Sequence, residues 1–587
     1  MKKFSSLVLA LMLVLSGCSS APSNESAKFT AGTYTGSAKG NNGDVVVEVT
    51  LTSDKIESIT VKEHAETAGL GDSAMDRVIE DIIKTQSVQV ETVSGATNSS
   101  NAAIEAVTAA LKEAGVDASS LVAQESNEET VKVEDTTADI VVIGGGGAGL
   151  TAAIEAADAG AKNIILLEKM MQTGGTTATA QGMIAGFDTQ VQKAAGDEAI
   201  SYDAMYDNLM NNALWKLDPT LTEITVKSCG QTIDWLIDRA NVKFQDEVLV
   251  GYGPLKMMHV VDGLGVSLVE ELTKTAKDAG VDIRTENKAT NLVVDEAGNI
   301  AGVKVETNGQ TYTINTKAVV LATGGYSYNP ELTALLDPEK EGTFGIGHPS
   351  NTGDGLIMAS NAGAALTHTN HLMAVLKDYE IMKDHNGTSN SANISRFIAQ
   401  DNLVLVGIDG KRFVDEKSGG YMTQLLNEPI FDHMHKQGSE FVWAISDVAS
   451  LEAAKVVRGE NLEFITADTV EELAEKMGVD ATALSETIAN YDKYAKEGYD
   501  PEFKRTTFAP LSAPYVAVKA VPCEIITYGG VARNENAEVL RADASVIGGL
   551  YAAGEVSANS AYMGFTLSNA VTWGRIAGAN AANFVAE

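Results

Sequence analysis

The sequence predicts an α/β fold organised around a Rossmann-like dinucleotide-binding unit, and two stretches carry this prediction. After Asp139, residues 140–143 form an apolar, β-rich run that leads into the turn Gly144-Gly-Gly146-Gly-Ala148-Gly149 and then into small residues at helical spacing. This pattern is a strand, a tight turn and a helix whose free N–H groups face a phosphate. Residues 163–168 form a second apolar run, which ends in Glu168. This acid lies 19 residues (168 − 149) beyond Gly149, where a carboxylate accepts hydrogen bonds from a ribose.

Each residue of the glycine-rich turn has an expected role. Gly144 permits the turn, Gly146 lets the backbone approach a pyrophosphate, and Gly149 lets the helix pack closely on the strand. Ala148 is small enough to stand beside the phosphates at the start of the helix. With Glu168, these are the first candidate cofactor contacts.

Composition limits the class of protein. A chain of 587 residues is too long for one hydrophobic core, so roughly two to four domains are expected. The formal net charge of −36 argues against nucleic acid or an anionic membrane surface as a partner. The three cysteines form no Cys-x-x-Cys pair, so the sequence predicts no zinc site, no c-type haem attachment, no iron–sulfur cluster and no other metal.

The first residues have the pattern of a targeting segment. Lys2 and Lys3 precede the apolar run 7–15, which is too short for a stable membrane span, and small residues then lead to Cys18. This resembles a bacterial lipoprotein signal (1–18), which implies cleavage and lipidation at Cys18, with 19–28 as a tether. A plain secretory signal is the alternative. Both interpretations predict an extracytoplasmic protein, and the first predicts a lipid anchor in the cell membrane.

Residues 29–117 are predicted to form a small α+β domain, followed by a linker at 118–136. Strand patterns cover 44–51 and 56–61, helical patterns cover 73–84 and 99–114, and Glu91-Thr-Val-Ser-Gly-Ala-Thr97 precedes the second helix. The hydroxyl residues of this motif could serve only as helix caps. With Tyr34-x-Gly36 and Glu66-Thr-Ala-Gly69, however, the motif resembles the FMN-binding domain family. That resemblance implies covalent FMN on Thr97, attached by a flavin transferase, although Glu91 stands where the family has Asp.

The chain beyond Glu168 resembles the fumarate reductase/succinate dehydrogenase flavoprotein family. The motifs stand in order: Gly174-Gly-Thr176-Thr177 with Gly182-Met, Ala-Thr-Gly324-Gly, Thr-Gly-Asp354-Gly, Gly410-Lys-Arg-Phe, and Ala-Ala-Gly554-Glu555. Thr176 replaces a family Asn, and Gln181 replaces a family Gly. The resemblance implies non-covalent FAD. Its expected contacts beyond the first turn are Lys169, Thr176, Thr177, Gly182, Gly324, Asp354, Glu555, Thr566 and Leu567.

The resemblance also implies how the chain is divided. The FAD-binding domain is expected at 137–364, an inserted α+β capping domain of mixed helix and loop at 365–513, and the remainder of the FAD-binding domain at 514–587. In this family the capping domain closes over substrate and excludes water.

The candidate catalytic residues are Arg396, His371 and Tyr562. In the family an Arg delivers a proton to the alkene; a position-by-position match falls on Ala399, and the nearest Arg is Arg396. His371 or His368 matches one carboxylate-binding His. The second His is replaced by Ile525 and Ile526, and the segment 559–568 lacks the family Arg. Tyr528, Tyr562 and Tyr379 favour a larger, less charged or aromatic substrate instead of fumarate.

The sequence therefore predicts a reductase of an α,β-unsaturated carboxylate such as urocanate, cinnamate or a fumarate-like acid. Electrons would pass from an external donor, linked to quinol or a cytochrome, to FMN, then to FAD and to the substrate in anaerobic respiration. The turn at Tyr562 also resembles that of 3-ketosteroid Δ1-dehydrogenases, so an enone dehydrogenase or reductase is the alternative. A non-catalytic flavin electron carrier is the third. Substrate, donor, reaction direction and oligomeric state are left open.

Overall fold

The computed structural model describes residues 29–67, 70–93, 96–122, 132–251, 253–385, 394, 398–418, 424–453 and 464–587. These residues form a small N-terminal unit, a central unit built on a mostly parallel sheet, and an inserted unit with a sheet of its own. The predicted signal and tether, residues 1–28, lie outside the described ranges. In the described part of the chain, no helix is long and apolar enough to span a bilayer.

The N-terminal unit is an antiparallel sheet covered by two helices. Its strands (Gly32–Lys39, Asp44–Leu51 and Ile56–Glu63) pair in sequence order, and its helices are Gly71–Thr85 and Thr97–Glu113. Alternate residues of the middle strand are buried because one face of the sheet packs on the helices. A Cβ atom at Gly36 would lie 2.0 Å from the carbonyl oxygen of Ala106, so only glycine allows this approach. The predicted strands and helices of this unit are confirmed.

The central unit is a six-stranded sheet of the Rossmann type. Five adjacent strands are parallel to one another, and the sixth strand is antiparallel to the fifth. Across the sheet the strands are Asp282–Arg284, Ile164–Leu167, Ile140–Ile143, Ala318–Leu321, Val546–Ala552 and Glu538–Leu540. One face packs on the helices Gly147–Asp158, Leu264–Asp278 and Thr566–Ala586. The other face packs on a four-stranded sheet of Lys288–Val294, Ile300–Thr307, Gln310–Asn315 and Thr136–Thr137. The α/β class and the Rossmann-like unit are confirmed.

Further elements surround this sheet. The helices are Gly175–Thr179, Gln190–Ala195, Tyr202–Asn212, Pro219–Asp238, Pro330–Leu336 and Asp354–Asn361. The strands are Met183–Ala185, Lys256–Val260 and Leu249–Val250 in one small sheet, and Leu366–Thr367 with Gly530–Val531 in another. Short 3-10 turns occur at Ala118–Ser120, Pro338–Lys340 and Gly554–Ser557.

The inserted unit is organised on one long strand, Tyr515–Thr527. It pairs with Phe344–Gly345, Leu372–Asp378, Val442–Asp447 and Ile465–Ala467, and Val404–Val406 extends the sheet. The helices of this unit are Tyr379–His385, Gln424–Gln437, Val448–Ala453, Val470–Met477 and Ala481–Glu497.

The long strand changes one expectation. The sequence places the return to the FAD-binding domain at 514, but Tyr515–Thr527 is hydrogen-bonded to strands of the inserted unit, so the inserted sheet extends to Thr527. Most of this strand is buried, and it therefore lacks the regular alternation of apolar and polar residues that marks a half-exposed strand. The sequence predicts mixed helix and loop in the inserted unit, whereas the structure has a sheet with flanking helices there.

Candidate active site

The glycine-rich turn has the geometry that its residue types predict. Gly144 has φ +109°, and a Cβ atom there would lie 2.2 Å from the carbonyl oxygen of Ala322. A Cβ atom at Gly149 would lie 1.9 Å from the carbonyl oxygen of Gly144, so the helix packs directly on the turn. A Cβ atom at Gly146 would meet its nearest neighbour, the carbonyl oxygen of Gly174, at 3.5 Å, which is ordinary van der Waals contact. The open side of Gly146 faces the large cavity described next.

This FAD cavity, of about 1170 Å³, follows the carboxyl edge of the parallel sheet. Twelve of the expected cofactor contacts line it: Gly144, Gly146, Ala148, Glu168, Lys169, Thr176, Thr177, Gly324, Asp354, Glu555, Thr566 and Leu567. Gly149 and Gly182 do not line it. Gly149 supports the turn from behind, and Gly182, with φ +67°, packs against the backbone of Leu264.

Glu168 forms part of the wall of the FAD cavity. Its two carboxylate oxygens accept backbone N–H groups, Oε2 from Gly145 and Oε1 from Met170, each at 2.8 Å. Burial raises the pKa of Glu168, although these donors favour the ionised form. The hydrogen bonds fix the carboxylate beside the glycine-rich turn, where ribose hydroxyls of a dinucleotide would meet it.

Lys169 and Asp354 form an ion pair in the cavity wall. Nζ of Lys169 lies 2.6 Å from Oδ2 of Asp354 and also donates to the Thr352 hydroxyl at 2.7 Å. Burial acts to raise the pKa of Asp354, but the charges of Lys169 and Lys288 outweigh burial, so this pKa is lowered. Asp354 is therefore an ionised acceptor for cofactor hydroxyls.

Glu555 also lines the FAD cavity. Its Oε1 accepts the Thr527 N–H at 2.9 Å and the Thr527 hydroxyl at 3.2 Å, and its Oε2 accepts Nδ2 of Asn351 at 3.4 Å. Burial raises the pKa of Glu555 to about 7, although the hydrogen bonds from these donors act to lower it. Asn351 also donates to the Thr176 hydroxyl at 3.1 Å. The network links the predicted Thr176 loop to Glu555.

The cavity has the donors that an FAD molecule requires. Helices Gly147–Asp158 and Thr566–Ala586 both begin at its wall, where a helix N-terminus favours a bound anion, and the Gly147 N–H itself donates to the Thr177 hydroxyl at 3.0 Å. The buried Oγ1 of Thr323 lines the cavity and has no hydrogen-bond partner among the described residues. Two helix N-termini, an orphan hydroxyl and a glycine cradle fit the phosphates and polar edge of FAD.

Three rings, His371, Tyr528 and Tyr562, lie together beside the FAD cavity and are called the aromatic group here. The His371 ring centroid is 5.1 Å from that of Tyr528 and 5.6 Å from that of Tyr562, and the two tyrosine rings are 4.8 Å apart. Tyr528 also lines the cavity. Methionines and aliphatic residues enclose the two tyrosines.

His371 is a neutral imidazole in this group. Its side chain is 2% exposed, and neither ring nitrogen has a hydrogen-bond partner in the described part of the chain. Burial, followed by the nearby positive charge of Lys216 and by His368, lowers the pKa of His371 to about 3. A buried imidazole without a partner is available to a polar group of a substrate.

The other candidate residues of this region lie elsewhere. His368 is exposed, with its ring bonded to the Thr367 hydroxyl at 2.6 Å. Tyr379 packs on Phe344 and Phe441, and its hydroxyl donates to Glu440. Tyr379 therefore belongs to a second set of rings in the inserted unit. Arg396 lies outside the described residues.

Thr97 is the first residue of helix Thr97–Glu113 and is exposed. In the described part of the chain no side-chain cap covers this helix N-terminus, and the adjacent Asn98 donates to Asn41 at 3.2 Å. Ser99 packs beside Gly71, so the two helices of the N-terminal unit begin next to each other. An exposed hydroxyl at an uncapped helix N-terminus fits the phosphate of an attached FMN.

A cleft of about 1120 Å³ separates the N-terminal unit from the central unit and is called the interunit cleft here. Asp72 and Ser73 line one side, and Thr173, Ala178 and Lys274 are among the residues of the other. Helix Gly175–Thr179 divides this cleft from the FAD cavity, because Thr176 and Thr177 line the cavity and Ala178 lines the cleft.

Several residues of the site were not among the sequence candidates. The missed cavity residues with polar side chains include Asn287, Lys288, Ser350, Asn351, Thr527 and Asn569. Asn351, in Asn-Thr-Gly-Asp354, could have been found from its position in a recognised motif. Thr527 and Asn569 carry no local signal, because their role depends on Glu555 and on the helix that ends the chain.

Known proteins resemble this chain over most of its length. The sequence profile of the FAD binding domain family matches residues 139–569, and that of the FMN-binding domain family matches residues 40–112. A urocanate reductase of Eggerthella lenta is 30% identical over 97% of this chain and 96% of its own length.

Solved structures show the same likeness. The open conformation of a flavocytochrome c3 fumarate reductase matches 78% of this chain and 80% of its own, with a TM-score of 0.63 and 29% identity. A 3-ketosteroid-Δ4-(5α)-dehydrogenase of Rhodococcus jostii, bound to 4-androstene-3,17-dione, matches 77% of this chain and 98% of its own. Its TM-score is 0.63 and its identity 27%.

Proposed function

This chain belongs to the FAD- and FMN-binding flavoprotein family of the urocanate and fumarate reductases, and we propose that it is an extracytoplasmic reductase of an α,β-unsaturated carboxylate. The observation that carries the proposal is the aromatic group beside the FAD cavity. It offers a neutral imidazole and two phenols in an enclosed space, next to a cavity whose lining fits a hydride-donating flavin.

The substrate proposed is a monocarboxylate with an aromatic or apolar part, such as urocanate or a cinnamate. Burying a dianion needs cationic partners, because an unpaired buried carboxylate is costly. The segment 559–568, where the family has its second carboxylate-binding Arg, contains none. The rings of the aromatic group instead suit stacking on a flat substrate and hydrogen bonding to an uncharged polar atom.

Reduction of the alkene consumes two electrons and two protons. An FAD held in the cavity would supply a hydride to one carbon of the C=C bond, and a proton would reach the other carbon. His371 and Tyr562 bind and orient the substrate, and their burial excludes water from the reacting carbons. Arg396 remains the proposed proton donor on the family resemblance; an Arg396→Ala variant with undiminished turnover would remove it from the mechanism.

Electrons are proposed to reach FAD from FMN on Thr97. The interunit cleft supports this route, since one short helix separates it from the FAD cavity and its other wall is formed by the first turn of helix Gly71–Thr85. That turn lies beside the start of the helix that carries Thr97. A flavin transferase would attach FMN, and a quinol- or cytochrome-linked donor would reduce it during anaerobic respiration.

The proposed anchor is a lipid on Cys18 in the cell membrane, and it rests on the sequence pattern of residues 1–18. A Cys18→Ala variant should move the protein from the membrane fraction to the soluble fraction of cells. Wild-type-like membrane retention of this variant would refute the anchor without affecting the proposed reaction.

An anaerobic assay tests the reaction itself. FAD-loaded protein with reduced viologen is offered urocanate, cinnamate, acrylate, itaconate and fumarate, and protein stripped of FAD is the control. We expect dye oxidation with at least one aromatic or monoanionic enoate, faster than with fumarate. Fumarate as the best substrate would overturn the proposed substrate class.

The likeness to the 3-ketosteroid dehydrogenase gives a second candidate, a steroid-like enone dehydrogenase or reductase. Tyr562 in the aromatic group supports it, because a buried phenol can exchange a proton with an enone. Turnover of a 3-ketosteroid with no turnover of any enoate would favour this candidate. If the bound FAD is reduced but neither an enoate nor a 3-ketosteroid is turned over, a non-catalytic flavin electron carrier would be the remaining candidate.

A further inference from the structure

Arg533 is a buried cation without a counter-charge. Its side chain is 4% exposed, and no carboxylate lies within ion-pair distance of its guanidinium among the described residues. The plane of the group stacks on Trp573 of the C-terminal helix, with Cζ 3.3 Å from the ring centroid. Burial lowers the pKa of Arg533 to about 9, opposed by the more distant charge of Asp218, so the group stays protonated at neutral pH.

The hydrogen bonds of Arg533 go to neutral groups. Nε donates to the carbonyl and hydroxyl oxygens of Ser557 at 3.2 and 3.1 Å, and Nη2 donates to the Ser560 hydroxyl at 3.0 Å. Nη1 has no partner in the described part of the chain. Burying a charge that is neither paired nor fully hydrogen-bonded is unfavourable, so a cation in this state indicates a compensating negative charge during function.

A short hydrogen-bond path connects Arg533 to the FAD cavity. Oγ of Ser560 lies 2.7 Å from Oδ1 of Asn569, and Asn569 lines the cavity. Asn569 belongs to the first turn of helix Thr566–Ala586, whose uncapped N-terminus faces the same cavity. Thr566, Leu567 and Ala570 of the same turn also line the cavity.

We propose that Arg533 tunes the FAD by stabilising the negative charge that reduction places on the flavin ring. A two-electron reduced flavin that has taken up one proton is an anion, and a fixed positive charge in a low-dielectric interior stabilises it more than the neutral oxidised ring. The helix N-terminus adds to this field. Arg533 thereby raises the reduction potential of FAD and favours electron transfer into it from the donor side.

Arg575 provides a matched control. It lies on the same C-terminal helix and also stacks on a tryptophan, with Cζ 4.9 Å from the Trp235 ring, but its Nε is paired with Glu155 at 3.3 Å. Removing a compensated, partly exposed charge should leave the field at the flavin almost unchanged. The two residues are both arginines, but a carboxylate neutralises the charge of Arg575 and none among the described residues neutralises that of Arg533.

The experiment measures the midpoint potential of FAD in full-length FAD-loaded protein by dye equilibration, in a Thr97→Ala background so that covalent FMN does not overlap the signal. Arg533→Met should shift the potential to more negative values, Ser560→Ala should shift it less in the same direction, and Arg533→Lys and Arg575→Met should stay at the parental value. The affinity of the flavin for sulfite, whose adduct is also anionic, should fall in the same order.

Two results would overturn the proposal. One is a parental potential and sulfite affinity in FAD-loaded Arg533→Met. The other result concerns Ser560→Ala and is used if Arg533→Met does not fold. A parental midpoint potential and sulfite affinity in Ser560→Ala would then refute the hydrogen-bond path from Arg533 to the cavity. The measurement needs no enoate, so it is independent of the proposed reaction.

Discussion

The backbone N–H of Thr527 donates to Oε1 of Glu555 at 2.9 Å, and this bond joins the last residue of the central strand of the inserted sheet to the wall of the FAD cavity. The carboxyl group sits where three donors converge, yet burial keeps its pKa near 7. Glu555 therefore changes its charge within the physiological pH range, at the junction of the two units.

Replacing Glu555 by Gln should make the flavin-free protein less sensitive to pH. Between pH 4.5 and about 7 the folded state binds more protons at Glu555 than the unfolded state, so stability falls as the pH rises and the penalty is complete above pH 7. At pH 8 Glu555→Gln should be more stable than wild type by up to about 3 kcal/mol, and at pH 4.5 it should be nearly equal. Urea unfolding at both pH values measures this difference.

Glu524 is the control for that prediction. It lies on strand Tyr515–Thr527, burial raises its pKa to about 7, and Thr343 and Thr333 donate to it at 2.8 and 3.0 Å. Glu524→Gln should show the same pH dependence of unfolding but unchanged FAD affinity, because Glu524 does not line the cavity. Equal pH profiles for wild type and both variants would contradict the buried-acid interpretation.

Breaking the Lys169–Asp354 pair should destabilise the wall of the FAD cavity. Lys169→Met removes the closer cationic partner of a mostly buried carboxylate, leaving Lys288 at 3.7 Å, and should cost roughly 1–2 kcal/mol in unfolding free energy. Adding Asp354→Asn should restore part of this loss, since the two side chains act together. The exposed pair Lys274–Asp278 is the comparison, and Lys274→Met should change the free energy of unfolding much less, because the pair is solvated. If the changes in unfolding free energy of Lys169→Met and Asp354→Asn simply add in the double variant, the two side chains are not coupled.

Replacing His371 by Phe should stabilise the protein while lowering its activity. Phe keeps a ring between Tyr528 and Tyr562 and removes two unpaired nitrogens, a gain of about 1 kcal/mol at pH 8. Because the pKa of His371 is lowered to about 3, wild type loses stability as the pH falls from 6.5 toward 3, so the advantage of the variant should be larger at pH 5. Thermal unfolding and enoate turnover measure both effects.

Turnover of His371→Phe should fall by roughly tenfold or more, if the imidazole meets the substrate as proposed. Tyr379→Phe, in the second set of rings, should retain wild-type turnover. Undiminished turnover in His371→Phe would assign this residue to packing alone.

Thr97→Ala should abolish covalent FMN attachment. The Thr97 hydroxyl is exposed at a helix N-terminus, where backbone N–H groups can hold the phosphate of the ester. Intact-mass analysis should find the flavin adduct on wild type and on Thr92→Ala, which removes an equally exposed hydroxyl from the same motif. A persistent adduct on Thr97→Ala would place the linkage at another residue.

The α/β class, both flavin modules and twelve residues of the FAD cavity could be predicted because they depend on short-range order. A strand, a glycine turn and a helix occupy consecutive residues, and the Cβ positions excluded at Gly144 and Gly149 explain why that local sequence has no substitute. The inserted sheet could not be predicted in this way. Its central strand, Tyr515–Thr527, is buried, and its Cys523 pairs with Phe344, 179 residues earlier (523 − 344) in the chain.

The sequence by itself determined the cofactors, through motifs whose residues are neighbours in the chain. Only the tertiary structure brought His371, Tyr528 and Tyr562 into one group and separated Tyr379 from it. It also placed Arg533, which stands in a stretch of polar residues, in a buried position on Trp573 with no counter-charge among the described residues. Burial and electrostatic compensation depend on atoms from distant segments, so residue type and spacing do not encode them locally.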